Sequence, residues 1–142
     1  MDHRIKKQKV WNFFTYLIVA ILGYVSSVLI NGIPLRGVPE WEEIDKIEIS
    51  SEEFEVQSKV ISGIYETNVA QGLFKNTKCS ILSEEDVDLT NAITVKFYVD
   101  GEEYIGIINE KSVVWQGKSY KLKEEPEYLG IAKAFYFSMD NE

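Results

Sequence analysis

One histidine and one cysteine are all that this chain offers of the residues that most often serve as bases, nucleophiles or soft metal ligands. His3 lies in a basic N-terminal tail, ahead of a long apolar run. Whatever folds after that run therefore has neither a histidine-based nucleophile pair nor a histidine metal ligand. Cys79, being alone, permits no intramolecular disulfide and no CxxC site, and reads as a small buried apolar residue. A serine-lysine pair needs a desolvated lysine, and neither Ser58-Lys59 nor Lys118-Ser119 is marked as more than surface sequence. Carboxylates are plentiful, but a glycosidase needs two whose environments differ, and abundance does not single out such a pair. No catalytic residue is assigned, no cofactor is implied, and no enzymatic activity is expected.

Two groups remain that could bind something. Glu84-Glu85-Asp86-Val87-Asp88-Leu89-Thr90-Asn91 gathers hard oxygen donors, with Glu84, Asp86 and Asp88 as candidate calcium ligands. The run lacks the Gly and terminal Glu spacing of an EF-hand, so a solvated acidic loop is the leading reading and a cation site the alternative. Tyr98 and Tyr104 lie on either side of an Asp-Gly turn. Read as facing outward together beside charges, they are the candidate partner-binding residues.

The elements that must position these groups begin with charge. Arg4, Lys6, Lys7 and Lys9 oppose only Asp2 in the tail, whereas the remainder holds 11 Lys and Arg against 22 Asp and Glu. So acidic a body repels polyanions, and no RNP, zinc-finger or basic-helix pattern offsets that, so nucleic-acid binding is excluded. With 45% hydrophobic and 13% aromatic residues the chain is one that folds.

Between Lys9 and Arg36 there is no charged residue, and Val10 to Ile30 is almost wholly apolar. As a helix this stretch would be about 31 Å long, the thickness of a bilayer's hydrocarbon core. It exceeds the run of about 7 to 15 apolar residues found in a cleavable signal, and Val25-Ser26-Ser27 is a poor cleavage site, so an uncleaved anchor is expected. Basic residues beside a span are retained in the cytoplasm, which places the acidic part outside. The expected division is a cytoplasmic tail over 1–9, a transmembrane helix over 10–31, a proline- and glycine-bearing stalk over 32–43, and an extracytoplasmic domain over 44–142.

Within that domain, alternation predicts short strands at Ile44 to Ile49 and Glu53 to Gln57, with Ser50-Ser51 turning between them and Phe54 and Val56 facing inward. Helical spacing of Ile61, Ile64, Tyr65, Val69 and Leu73 predicts a helix from Ser58 to about Lys75. Ile93 to Val99 then alternates into Asp100-Gly101, a type I′ hairpin signal, and further strands follow, with Gly117-Lys118 as the last turn. Pro126 opens a final helix carrying Tyr128, Leu129, Ala132, Phe135 and Tyr136 on one side. The fold class is α+β: an N-terminal transmembrane helix plus a small antiparallel β-meander domain covered by one or two helices.

The anchor, the IDKIEI opening strand, the strand-Asp-Gly-strand hairpin and the stretch GKSYKLKEEPEYLGI together resemble a group of small uncharacterised exported or membrane-anchored proteins of Gram-positive bacteria. The resemblance implies a place rather than a reaction. The function expected is a membrane-tethered extracytoplasmic interaction or accessory module meeting an envelope protein. The alternative is a small ligand- or cation-sensing domain.

Overall fold

With no proline or glycine before Gly23, the basic tail and the uncharged apolar run form one long helix, α1 (Asp2–Asn31). In the computed structural model, which describes residues 2–52, 56–80 and 82–137, α1 is long and apolar enough to cross a bilayer. Two of its polar side chains bond along their own helix, Thr15 Oγ1 to the Trp11 carbonyl at 2.9 Å and Asn31 Nδ2 to Ser27 Oγ at 3.2 Å. Gly32, at φ +77, ends it in the left-handed conformation that glycine adopts without strain. The chain divides into two compact units, Met1–Asn31 and Gly32–Glu142.

The second unit opens where a stalk is expected, and here the structure differs from that expectation. Ile33–Pro34 forms a short strand, β1, paired antiparallel with β4 (Lys78–Cys79). Ile33, Leu35 and Val38 pack against the core, and the Pro39 carbonyl accepts a bond from the buried Gln71 amide at 3.2 Å. Prolines stop this segment from being helical, but its alternate apolar side chains still gain by leaving water, so it folds onto the domain.

Six strands form the main sheet: β2 (Lys46–Ser51), β3 (Val56–Ile61), β5 (Ile93–Val99), β6 (Glu102–Ile108), β7 (Ser112–Trp115) and β8 (Lys118–Lys121). Their order is β3-β2-β5-β6-β7-β8, antiparallel throughout. The expected meander β5 to β8 is present, and the β2–β3 hairpin extends it. Asp100-Gly101 and Gln116-Gly117, each with two positive φ angles, make the two-residue turns that match strand twist. The second turn therefore comes one residue earlier than Gly117-Lys118, and Lys118 belongs to β8.

Two boundaries shift near the start of the domain. Ser50 and Ser51 lie within β2 rather than in a turn, and Ser58 to Ile61 continue β3 through the pairs Ile49 with Lys59 and Ile47 with Ile61. Pairing with β2 satisfies backbone groups that an isolated helical turn would leave open, and it overrides the helical spacing that begins at Ile61. Helix α2 accordingly spans Ile64–Lys75, with Gly63 extended before it. Ile64 and Tyr65 are exposed, and the buried face is Thr67, Val69, Ala70, Gln71, Leu73 and Phe74. Phe54 lies outside the described residues, as does the side chain of Val56.

Helix α3 (Glu127–Phe137) follows Pro126 and buries Leu129, Ala132, Tyr136 and Phe137. Tyr136 donates its hydroxyl to the Glu66 carbonyl of α2. Together the two helices cover one face of the sheet, whose inner side chains include Ile47, Ile49, Ile93, Val95, Phe97, Ile108 and Val113. At the centre Phe74 lies 5.7 Å from Phe97 and 5.5 Å from Trp115 between ring centroids. Gly106 makes room for it, since a Cβ there would stand 2.4 Å from the Phe74 ring. The outer edge of β8 receives bonds from residues after β4: Ser80 N–H donates to the Lys121 carbonyl at 2.9 Å and Glu84 N–H to that of Ser119 at 2.8 Å.

Candidate functional site

Period-two alternation decides which side chains can meet. The Asp100-Gly101 turn pairs Val99 with Glu102, Tyr98 with Glu103 and Phe97 with Tyr104. Tyr98 and Tyr104 are thus one register position apart and lie on opposite faces of the sheet, not on one outward face.

Tyr98 is on the uncovered face, half-buried and already engaged. Its hydroxyl donates to Glu48 at 3.0 Å, and Lys46 Nζ stands 4.9 Å above its ring. The Glu48 carboxylate, followed by burial and the charge of Glu103, pushes the phenol up to about 12. Glu48 itself is held below the usual carboxylate range by the Ser58 hydroxyl first and by Tyr98 second. The signs follow from linkage. The neutral phenol's bond contributes stability below the ordinary tyrosine range and is lost as pH rises through about 12. The carboxylate's contribution is present above its unfolded value and is lost as pH falls through the depressed one. Spectroscopic titration of Tyr98, assigned by Tyr98→Phe, is expected to show this late ionisation, and Glu48→Gln is expected to return it towards the ordinary tyrosine value. An unchanged titration in Glu48→Gln would remove the bond from the account.

Tyr104 turns inward. Its ring stacks on Trp115 with centroids 6.5 Å apart and planes 17° apart. Tyr120 reaches the same region, because β8 pairs Tyr120 with Val113 and so gives it the inner face. The three rings floor a recess of about 360 Å³, over which passes the segment from Ile33 to Gly37. A Cβ on Gly37 would lie 4.0 Å from Trp115 Nε1, and Gly37, at φ +81, gives the segment its bend. Arg36 and Lys118 are exposed on the rim. Cys79 closes the inner end, with its Sγ 3.4 Å from the Ile33 carbonyl, and burial pushes its thiol up. Aromatic walls with a few polar groups are the usual make-up of a binding recess, and this one lies at the lower end of the size range for small-ligand sites.

The acidic loop is arranged otherwise. Glu84 is drawn to Lys121 at 3.4 Å, Asp86 is exposed, and Asp88 accepts the Thr90 N–H at 2.9 Å as well as the Thr90 hydroxyl. Those two bonds hold the Asp88 carboxyl below its usual range, the hydroxyl contributing most. The loop is tied down by the buried Asn109, whose Nδ2 donates to the Asp88 and Thr90 carbonyls and whose Oδ1 accepts the Lys111 and Ser112 N–H groups. Glu84, Asp86 and Asp88 are not brought together. Among the described residues no three His, Cys, Asp or Glu side chains are grouped to hold a metal ion.

Sequence reasoning singles out neither the recess nor Asn109. Of the recess residues Tyr104 alone carries a binding expectation there, and on an outward face; Arg36 falls in the stalk and Lys118 in a turn. The available signal was the hairpin register, which alone puts Tyr104, Trp115 and Tyr120 on one face. Compared with known proteins, the chain matches no protein-family model, no curated protein and no solved structure.

Proposed function

We propose that the protein is a membrane-tethered interaction module whose C-terminal domain lies outside the cytoplasm and binds an envelope protein through the recess at Tyr104, Trp115 and Tyr120. The observation that carries this reading is that recess: aromatic side chains gathered on one floor, with Tyr104 and Tyr120 partly exposed over the buried Trp115, where a partner's side chain can be desolvated. The apolar helix supports tethering, and the four basic residues at its N-terminal end support a cytoplasmic N-terminus. Binding, not turnover, is the proposed role.

The test has two parts in intact bacteria expressing the full chain. An impermeant maleimide is expected to label a cysteine placed at the exposed Asp100 and to miss one at Lys6, the native Cys79 being only 2% exposed. The reverse pattern would invert the topology. Benzoylphenylalanine in place of Tyr120 is expected to crosslink to a discrete envelope protein, whereas the same group in place of the exposed Tyr65 on α2 is not. Equal crosslinking from both positions would deny the recess its role.

A further inference from the structure

We infer that the recess reads a carboxylate: it takes an apolar or aromatic side chain of a partner polypeptide onto Tyr104, Trp115 and Tyr120 while Arg36 and Lys118 hold a carboxylate carried beside it. This rests on the interaction-module reading and adds the chemistry of the ligand.

Charge complementarity is the first support. The chain after its basic tail has twice as many acidic as basic residues, and some of its cations pair with them. Lys75 does so with Glu40 at 2.9 Å and Lys121 with Glu84 at 3.4 Å. Arg36 and Lys118 do not: among the described residues neither has an ion-pair partner, and both stand on the rim of one concavity. Two cations without ion-pair partners thus stand at the rim of an aromatic floor, where the Tyr104 hydroxyl donates to Glu102 at 3.4 Å. A carboxylate can be held there by charge-assisted hydrogen bonds, bidentate in the case of arginine.

The second support is the backbone. Arg36 and Gly37 make no backbone hydrogen bond with the described residues, so their N–H and C=O groups are open to a partner's. An extended polypeptide supplies matching donors and acceptors, whereas a lipid chain supplies none. The third is size, because about 360 Å³ admits one or two side chains and not a long acyl chain. Gly37 fits this role: a side chain there would point towards Trp115 and narrow the entrance.

The experiment uses the full chain, labelled with ¹⁵N, in nanodiscs of neutral lipid, with the Trp115 indole resonance assigned by Trp115→Phe. N-acetyl-phenylalanine, which carries one ring and one carboxylate, is expected to shift that resonance saturably. Its neutral amide is expected to bind about tenfold more weakly, the loss of one charge-assisted contact. Arg36→Gln and Lys118→Gln should each remove most of the acid's advantage over the amide. Equal binding of acid and amide, or no saturable shift with either, would overturn the proposal. So would tighter binding of N-acetylmuramic acid, which would make the ligand a glycan, or a response confined to phosphatidylglycerol nanodiscs, which would make it a lipid headgroup. If acid selectivity fails while the Tyr120-position crosslink persists, the ligand chemistry falls and the interaction module stands. If both fail, both readings fall.

Discussion

Replacing Phe97 by alanine is expected to cost about 3 to 5 kcal/mol, enough to unfold most small domains. Phe97 lies in β5, which is paired on both sides, and its ring is fully buried between Phe74 and Trp115 with centroids 5.7 and 6.0 Å away. The usual relief for a deleted ring is collapse of its neighbours, and here the neighbours have nowhere to go. Phe74 already lies on the backbone at Gly106, so it cannot drop further towards the sheet. Trp115 is stacked under Tyr104, and moving it would open the recess. The cavity therefore stays largely unfilled, and both the transfer free energy and the cavity cost are felt. Denaturant unfolding of residues 32–142, followed by near-UV circular dichroism, measures the loss. Tyr98→Phe, one position along on the opposite face, is expected to cost less, because it deletes one hydrogen bond at the surface and leaves the ring in place. A loss at Phe97 below that of Tyr98→Phe would place its ring outside the core.

A fragment that starts at Ile44 is expected to be less stable than one that starts at Gly32 by roughly 2 to 5 kcal/mol. Full burial of a Leu, Ile or Val side chain is worth about 1.5 to 3 kcal/mol, and Ile33, Leu35 and Val38 are each partly buried on the core. Their removal also leaves the buried Gln71 amide without the Pro39 carbonyl and takes the pairing strand from β4. Cys79 reports the change chemically. Its thiol is held above the ordinary range by burial, so at neutral pH it is almost wholly protonated and slow to alkylate. In the shorter fragment it is expected to fall towards the usual thiol value and to react faster with iodoacetamide. Equal stability and equal alkylation in the two fragments would show that the segment is the mere stalk its prolines suggest. The same truncation removes Arg36 and Gly37, so the shorter fragment should also lose the recess.

Much of this architecture was legible in the residues themselves. The absence of charge between Lys9 and Arg36 leaves a helix in apolar surroundings as the economical outcome, and no tertiary contact is needed to reach it. The alternation from Ile93 to Val99, followed by Asp100-Gly101, specifies a hairpin, because few other sequences supply two positive φ angles in succession. Even the opposite facing of Tyr98 and Tyr104 was implicit there. A two-residue turn closes on Val99 and Glu102, and counting inward sets Tyr104 against Phe97.

What only the tertiary structure decided are the places where local preference and long-range pairing compete. Ser58 to Ile61 could wind into α2 on spacing alone, but β2 offered hydrogen-bond partners and the segment became β3. Gly32 to Pro39 carries the composition of a linker, yet exposed apolar area on the domain drew Ile33, Leu35 and Val38 down onto it. The recess is a product of that second choice. Tyr104, Trp115 and Tyr120 come from three strands and Arg36 from the segment above them, so no local window contains the site. Sequence governs what a few neighbouring residues do, since backbone preference and side-chain period act over one or two turns. The site depends on which distant surfaces leave water together, and that is settled by burial over the whole domain.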